Sequence, residues 1–293
     1  MKRLLRNILI SSVVFLFGWS AAHAAGMDGH RQDGEHPRLL PAISMLDGKI
    51  HSARSGCGGE ALPAVNPDYE QRIIDLVNDA RAVAGLPPFK RSAGLDNAAR
   101  YHATDMGQDL YFDHDTYDRS NTALVYICDT WTRIAHYASG GRGENIASGF
   151  LTPESVMNAW MKSPGHRSNI LSANWEIGVG YYSPGNFWVQ DFGVSSSFPV
   201  VINREAAKTD MPVISLYIYG DWQEMRFRNN SGEWSAWQPF QREVNWMLDP
   251  VGGEQTVWVE LHSATQSALS SDTIILEWPL SNPYRLFQPM IIR

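Results

Sequence analysis

Two histidines and a carboxylate stand where the chain changes from one element to the next, and their side chains are of the types that bind metals, move protons or hold ligands. His114 lies in Tyr111-Phe112-Asp113-His114-Asp115, Glu144 in Gly143-Glu144-Asn145-Ile146-Ala147, and His166 in Ser163-Pro164-Gly165-His166-Arg167-Ser168-Asn169. Neutral imidazole and carboxylate oxygen suit a divalent first-row ion, Zn²⁺ above all, and three such ligands leave a coordination position open. A metal on His114 and His166 would bring the pKa of its bound water to about 7, with Glu144 as general base, which is hydrolase chemistry. With or without a divalent ion, the same groups suit the holding of a small ligand or peptide. No His-x-x-x-His spacing occurs, so spacing alone does not bring the three together, and no Gly-x-Ser-x-Gly nucleophile motif is present. Ligand binding is therefore the first reading and metal-assisted hydrolysis the second.

The elements that must position these groups are legible as an α+β order, helices first and a meandering sheet afterwards. Asn66-Pro67 reads as a helix start, and Ile73, Leu76, Val77, Ala80 and Ala84 recur at helical spacing until Gly85 and Pro87-Pro88. Ser92 opens a second helix with Leu95, Ala99, His102, Met106 and Leu110 on one face. Thr152-Pro153-Glu154 opens a third, expected to stop at Ser163-Pro164-Gly165. Residues 113–149 read as a long irregular segment, functional or carrying minor structure of its own. Ile177–Tyr182 and Phe187–Val194, separated by Ser183-Pro184-Gly185-Asn186, read as an antiparallel hairpin.

Phe-x-His, Gly-Glu-Asn-Ile-Ala, Trp-Met-x-Ser-x-Gly-His-Arg-x-Asn-Ile-Leu, Glu-Ile-Gly-Val-Gly and Trp-Val-Gln-Asp-Phe occur in this order between Asn66 and Val194. In them the chain resembles the bacterial branch of the CAP superfamily, the SCP-like extracellular proteins. The resemblance implies an α-β-α sandwich with a cleft whose floor carries two histidines and acidic residues, which hold a divalent ion in some members. By motif, the histidines fall on His114 and His166 and the first acid on Glu144. The eukaryotic branch has a second glutamate three residues after the helix tryptophan; that position here is Ser163. The cleft is thus one carboxylate short, with Asp113, Asp115 or water left to complete a metal's shell.

The remaining polar and aromatic residues are given plainer readings. His102 reads as a hydrogen-bonded core residue, His136 as solvated, and Trp160, Trp175 and Trp188 as core packing. Arg119 and Arg167 orient acidic neighbours, draw in an anion or form surface salt bridges.

The chain ends read differently. Lys2, Arg3 and Arg6, an apolar run from Ile8 to Trp19 and Ala22-His23-Ala24 make residues 1–24 a signal peptide cleaved near Ala24/Ala25. The mature protein is expected to be secreted or periplasmic, with no transmembrane segment. Residues 25–67 form an extended leader containing His30, His36 and His51, read as solvated. The compartment permits a Cys57–Cys128 disulfide closing a loop of about 70 residues, with two free thiols as the alternative. The CAP-like domain is placed at 68–197, a linker at 198–211 and an all-β domain at 212–293. Short alternating strands separated by turn residues suggest a sandwich of immunoglobulin or fibronectin-III type for the last part. Its tryptophans read as core first and as a carbohydrate-stacking face second. A protein or cell-surface partner is expected for this domain. With 24 basic against 31 acidic side chains and a net charge of -7, the chain lacks the basic excess that nucleic-acid binding draws on.

Overall fold

The computed structural model describes residues 55–195 and 197–277. The signal segment, the leader histidines His30, His36 and His51, and Trp278 lie outside the described residues. No helix among the described residues is long and apolar enough to cross a membrane.

Helix α1 (Pro67–Val83) starts as its sequence predicts: the Asn66 side chain accepts the Tyr69 N–H at 3.1 Å, with proline at the first helical position. A short strand β1 (Lys90–Arg91) leads into α2 (Ala93–Asp109). Helix α2 ends at Leu110, whose φ of 54° places it in the left-handed region. Residues 113–149 are largely ordered: a hairpin of β2 (Thr116–Ser120) and β3 (Ala123–Cys128), helix α3 (Thr130–Ala135) capped by Asp129, and strand β4 (Gly141–Ala147). Helix α4 (Pro153–Lys162) opens on a capping box between Thr152 and Ser155. The helical stretch does not stop at Ser163-Pro164-Gly165. Proline pushes the residue before it to extended backbone, and Ser163 has φ -86° and ψ 122°, but proline is also favoured at a first helical position. Pro164 accordingly starts α5 (Pro164–Ile170), which carries His166.

Strands β5 (Glu176–Tyr182) and β6 (Phe187–Gly193) form the expected antiparallel pair in a sheet of order β1-β5-β6-β4. Because side chains alternate across a strand, the sheet has two buried faces. Trp188 and Phe192 pack with Ile73, Val77, Val156 and Trp160 of α1 and α4. Phe187, Val189 and Ile146 pack with Ala99, Ala103 and Met106 of α2. Helices therefore cover both faces, giving the α-β-α layering that the sequence motifs imply. Gly178 and Gly180 of β5 account for the Glu-Ile-Gly-Val-Gly motif. A Cβ at either would fall among backbone atoms of α2, at Leu95-Asp96 and Ala99-Arg100 respectively. Their missing side chains let the helix rest on the strand.

From Val200 to Leu276 the regular elements are strands apart from one 3-10 turn (Asn203–Glu205): β7 (Val200–Ile202), β8 (Lys208–Thr209), β9 (Val213–Ile218), β10 (Glu224–Asn229), β11 (Gln238–Pro239), β12 (Glu243–Met247), β13 (Gly253–His262) and β14 (Ser267–Leu276). They form sheets of order β12-β9-β7 and β11-β10-β13-β14-β8 around one core that includes Val200, Ile214, Leu216, Phe227, Val259 and Ile274. The segment 198–211, expected as a linker, contributes β7 and β8 to these sheets. Trp222 is in their core. Trp234, Trp237 and Trp258 instead stand beside guanidinium groups: Arg226 lies 5.0 Å and 4.6 Å from Trp234 and Trp237, and Arg228 lies 4.7 Å and 5.4 Å from Trp234 and Trp258. Guanidinium ions thus take up ring faces on which a sugar would stack.

The β part is joined to the helices by a polar and aromatic seam. Trp175 lies against Phe198 and Tyr219, and the Tyr219 hydroxyl donates to the Pro88 carbonyl at 2.8 Å. Lys90 Nζ bridges the carboxylates of Glu205 and Asp272. Asn203, Arg204 and Glu205 all have positive φ, and Asn78 and Gln71 donate to the carbonyls of Arg204 and Glu205.

Candidate functional site

The face of the sheet under α2 carries a chain of charged and titratable groups. Glu144 of β4 pairs in register with Asp191 of β6, so both side chains point to this face. Glu144 Oε1 accepts from His114 Nδ1 at 2.7 Å, and Glu144 Oε2 accepts from Arg133 Nη2. Arg133, on α3, is fully buried and also donates to the His114 carbonyl and to Thr116 Oγ1. One guanidinium therefore holds the carboxylate and the backbone of the histidine that the carboxylate orients. His102 is fully buried as expected, its Nε2 donating to the Asp113 carbonyl at 2.9 Å while lying 4.0 Å from Glu144 Oε1.

Protonation states follow from these contacts. Burial penalises an ionised Glu144, yet Arg133 and the hydrogen bond from His114 outweigh it and hold the carboxyl well below the usual carboxylate range. Burial also works against a charged His114, but Glu144 prevails and raises the imidazole above its ordinary value. Asp191 is pushed far up, first by burial and then by the negative charge of Glu144. No donor reaches either Asp191 oxygen. Both effects favour its protonated form. Burial first, then the charge of Arg133, drive His102 down to about 3, so its ring is neutral.

His166 is half-buried, and burial followed by the charge of His114 lowers its pKa. Its place is set through the backbone: Asn145 Nδ2 donates to the His166 carbonyl at 3.1 Å, and Asn169 Nδ2 donates to the Glu144 carbonyl and to Asn145 Oδ1. The asparagines of the Gly-Glu-Asn and Asn-Ile-Leu motifs thus tie α5 to β4.

Asp113 and Asp115 serve turns rather than a ligand shell, their carboxylates accepting from the N–H groups of Asp115 and Thr130. Arg119 donates to the carbonyls of Asp109 and Leu110, satisfying the end of α2. Arg133 and Asp191 were missed at the sequence level. A carboxylate inside the otherwise apolar and amide strand Phe187–Gly193 is itself a signal, since an aspartate is almost never fully buried without a partner. Nothing in the spacing around Arg133 points to Glu144.

The donor set does not fit a divalent ion. Both oxygens of Glu144 are engaged, Arg133 already supplies the neutralising charge, and His114, Glu144 and His166 do not bring three ligand atoms within 4.8 Å of one another.

Three layers, the His114–Glu144 pair and the two asparagine ties lie within one continuous stretch. Residues 74–192 match the family model described as CAP, the cysteine-rich secretory protein family. This segment is a CAP domain. The uncharacterized protein YkwD of Bacillus subtilis is 39% identical over 127 residues, which are 42% of this chain and 46% of YkwD. The uncharacterized membrane protein YlbC of the same organism is 28% identical over 114 residues, 38% of this chain and 31% of YlbC. Among solved structures, an extracellular protein containing an SCP domain from Bacillus anthracis aligns with 28% identity and a TM-score of 0.38, covering 46% of this chain and 45% of that one. The chain therefore spans less than half the length of these relatives.

Proposed function

We propose that the protein works outside the cytoplasm as a binding protein, its CAP-domain cleft at His114 taking a small anionic ligand or the carboxylate-bearing end of a peptide. The observation that carries this reading is the state of His114. Its side chain is 53% exposed, its Nδ1 is fixed on a buried carboxylate, and its pKa is raised. In the protonated ring both nitrogens are donors, so Nε2 offers a charge-assisted hydrogen bond to an anion. His166 adds a neutral imidazole within reach of the electrostatic field of His114.

Hydrolysis with Glu144 as base is less well supported. A general base works best with a pKa near the operating pH, and Glu144 is held far below that. The compartment is supported by the Cys57–Cys128 disulfide and by the signal-like residues 1–24. The same reading gives the β sheets a protein or cell-surface partner, supported by exposed Val213 and Met247, which face each other on β9 and β12.

The test is a nuclear magnetic resonance titration of histidine-labelled protein with short acidic peptides and sugar acids. The His114 ring signals should shift and saturate. Loss of one charge-assisted hydrogen bond, worth about 1.5–3 kcal/mol, should weaken binding at least tenfold in His114→Gln and as pH rises above the folded pKa of His114. Binding of equal strength in His114→Gln would sink the proposal.

A further inference from the structure

A second polar cluster lies on the outer half of α2. Asp105 and Asp109 are one helical turn apart on that helix, and Asp118 of β2 crosses them, bringing one carboxylate oxygen from each within 4.8 Å of the others. Asp105 and Asp109 are 0% and 1% exposed. Three like charges so close and so dry repel strongly, and a fold that keeps them together needs positive charge or protons among them.

Internal donors cover only part of this need. The Tyr111 hydroxyl donates to Asp105 Oδ2, and the Gly56 N–H is shared between the two oxygens of Asp118 at 3.2 Å and 3.1 Å. Asp105 Oδ1 and Asp109 Oδ2 are buried with no hydrogen-bond partner. The Arg119 backbone N–H serves the Asp109 carboxyl, leaving Oδ2 without a partner, while the Arg119 guanidinium donates to the carbonyls of Asp109 and Leu110 rather than to the carboxylates. Burial pushes Asp105 up to about 8 and Asp109 up to about 6.

We propose that Asp105, Asp109 and Asp118 bind one Ca²⁺ ion. All donors are hard oxygens, carboxylates can bind it singly or in pairs, and Ca²⁺ accepts the irregular geometry that a helix and a crossing strand impose, whereas Mg²⁺ demands a near-ideal octahedron. Asp118 is half-buried, which leaves a side for entry and for water ligands. The Asp118 carboxylate also holds the residue before Cys57, whose disulfide partner Cys128 ends β3, the strand paired with β2. The ion would therefore join helix, hairpin and leader beside the disulfide, through residues other than His114, Glu144 and His166.

Calorimetric titration of the full chain with CaCl₂ after stripping with chelator, together with thermal melts, tests this. One Ca²⁺ per chain should bind, Tm should rise with Ca²⁺ concentration, and Mg²⁺ should do neither at equal concentration. Asp109→Asn and Asp118→Asn should each weaken binding at least tenfold. Asp109→Asn relieves repulsion in the ion-free protein, so it should melt no lower than wild type without Ca²⁺, which separates loss of the site from loss of the fold. Absence of both heat and Tm shift up to about 10 mM Ca²⁺, beyond the range of weak extracellular modules, would overturn the proposal. Unchanged binding in both variants would do so as well.

Discussion

Replacing Arg133 by methionine removes one fully buried cation and leaves Glu144 in the same dry place with only His114 as partner. Breaking a buried ion pair from one side costs about 3–5 kcal/mol, because the surviving charge is desolvated without compensation. Arg133→Met also takes donors from the His114 carbonyl and from Thr116 Oγ1, which places the expected loss at the upper end of that range. At roughly 2–4 °C per kcal/mol for a body of this size, Tm should fall by about 10–20 °C. The double variant Arg133→Met with Glu144→Leu removes both charges, and apolar replacement of a whole buried pair is commonly neutral or stabilising by about 1–4 kcal/mol. It should therefore melt higher than Arg133→Met alone. Urea or thermal denaturation of the four proteins completes the double-mutant cycle. A loss under about 1 kcal/mol in Arg133→Met, or a double variant less stable than that single one, would refute the account of Glu144 as a carboxylate dependent on Arg133.

Other outcomes follow from the same contacts. Gly178→Ala should destabilise by about 1–3 kcal/mol or more in urea melts, since the new Cβ meets the backbone of α2 at Leu95 and Asp96 rather than a movable side chain. Changing Cys57 and Cys128 to serine releases a loop with a sequence separation of 71, for which chain entropy gives ~4 kcal/mol of lost stability, read as the fall in denaturation midpoint. The raised folded pKa of His114 means that its pairing with Glu144 stabilises fully below the unfolded value and fades as pH rises through the folded one. The stability gap between wild type and His114→Gln should thus be wide at about pH 5.5 and narrow at about pH 8.5. Asp191 moves stability in the same direction with pH, as a cost that appears rather than a gain that fades. An acid whose folded pKa is raised costs stability above its unfolded pKa, so Asp191→Asn should gain on wild type as pH rises from about 4 to 8, measured by Tm across that range.

Much of the CAP domain is legible in its residues because the determining interactions are local. Asn66-Pro67 and Thr152-Pro153 start helices by satisfying backbone N–H groups within a few residues, and alternation over Phe187–Gly193 can be read without knowing what lies on either side. His114 and Glu144 are found through their motifs, and the structure joins them by a hydrogen bond. Residues 113–149 are harder to read. Their hairpin exposes Val125 and Tyr126, and α3 is only six residues long, so neither shows a sustained apolar period. Pro164 is misread because the same residue ends one helix and begins another.

What the chain determines by itself is where helices and strands begin, which faces are apolar, and which residue types are available for chemistry. Only the tertiary structure decided that a guanidinium from α3 would neutralise Glu144, that Asp191 would lie across the strand pair from it as an acid favouring its protonated form, and that three aspartates from a helix and a hairpin would meet. These are contacts between distant segments. Their energies come from burial and charge at a few ångströms, quantities that exist only once the sheet register and the helix packing have put the groups in one place.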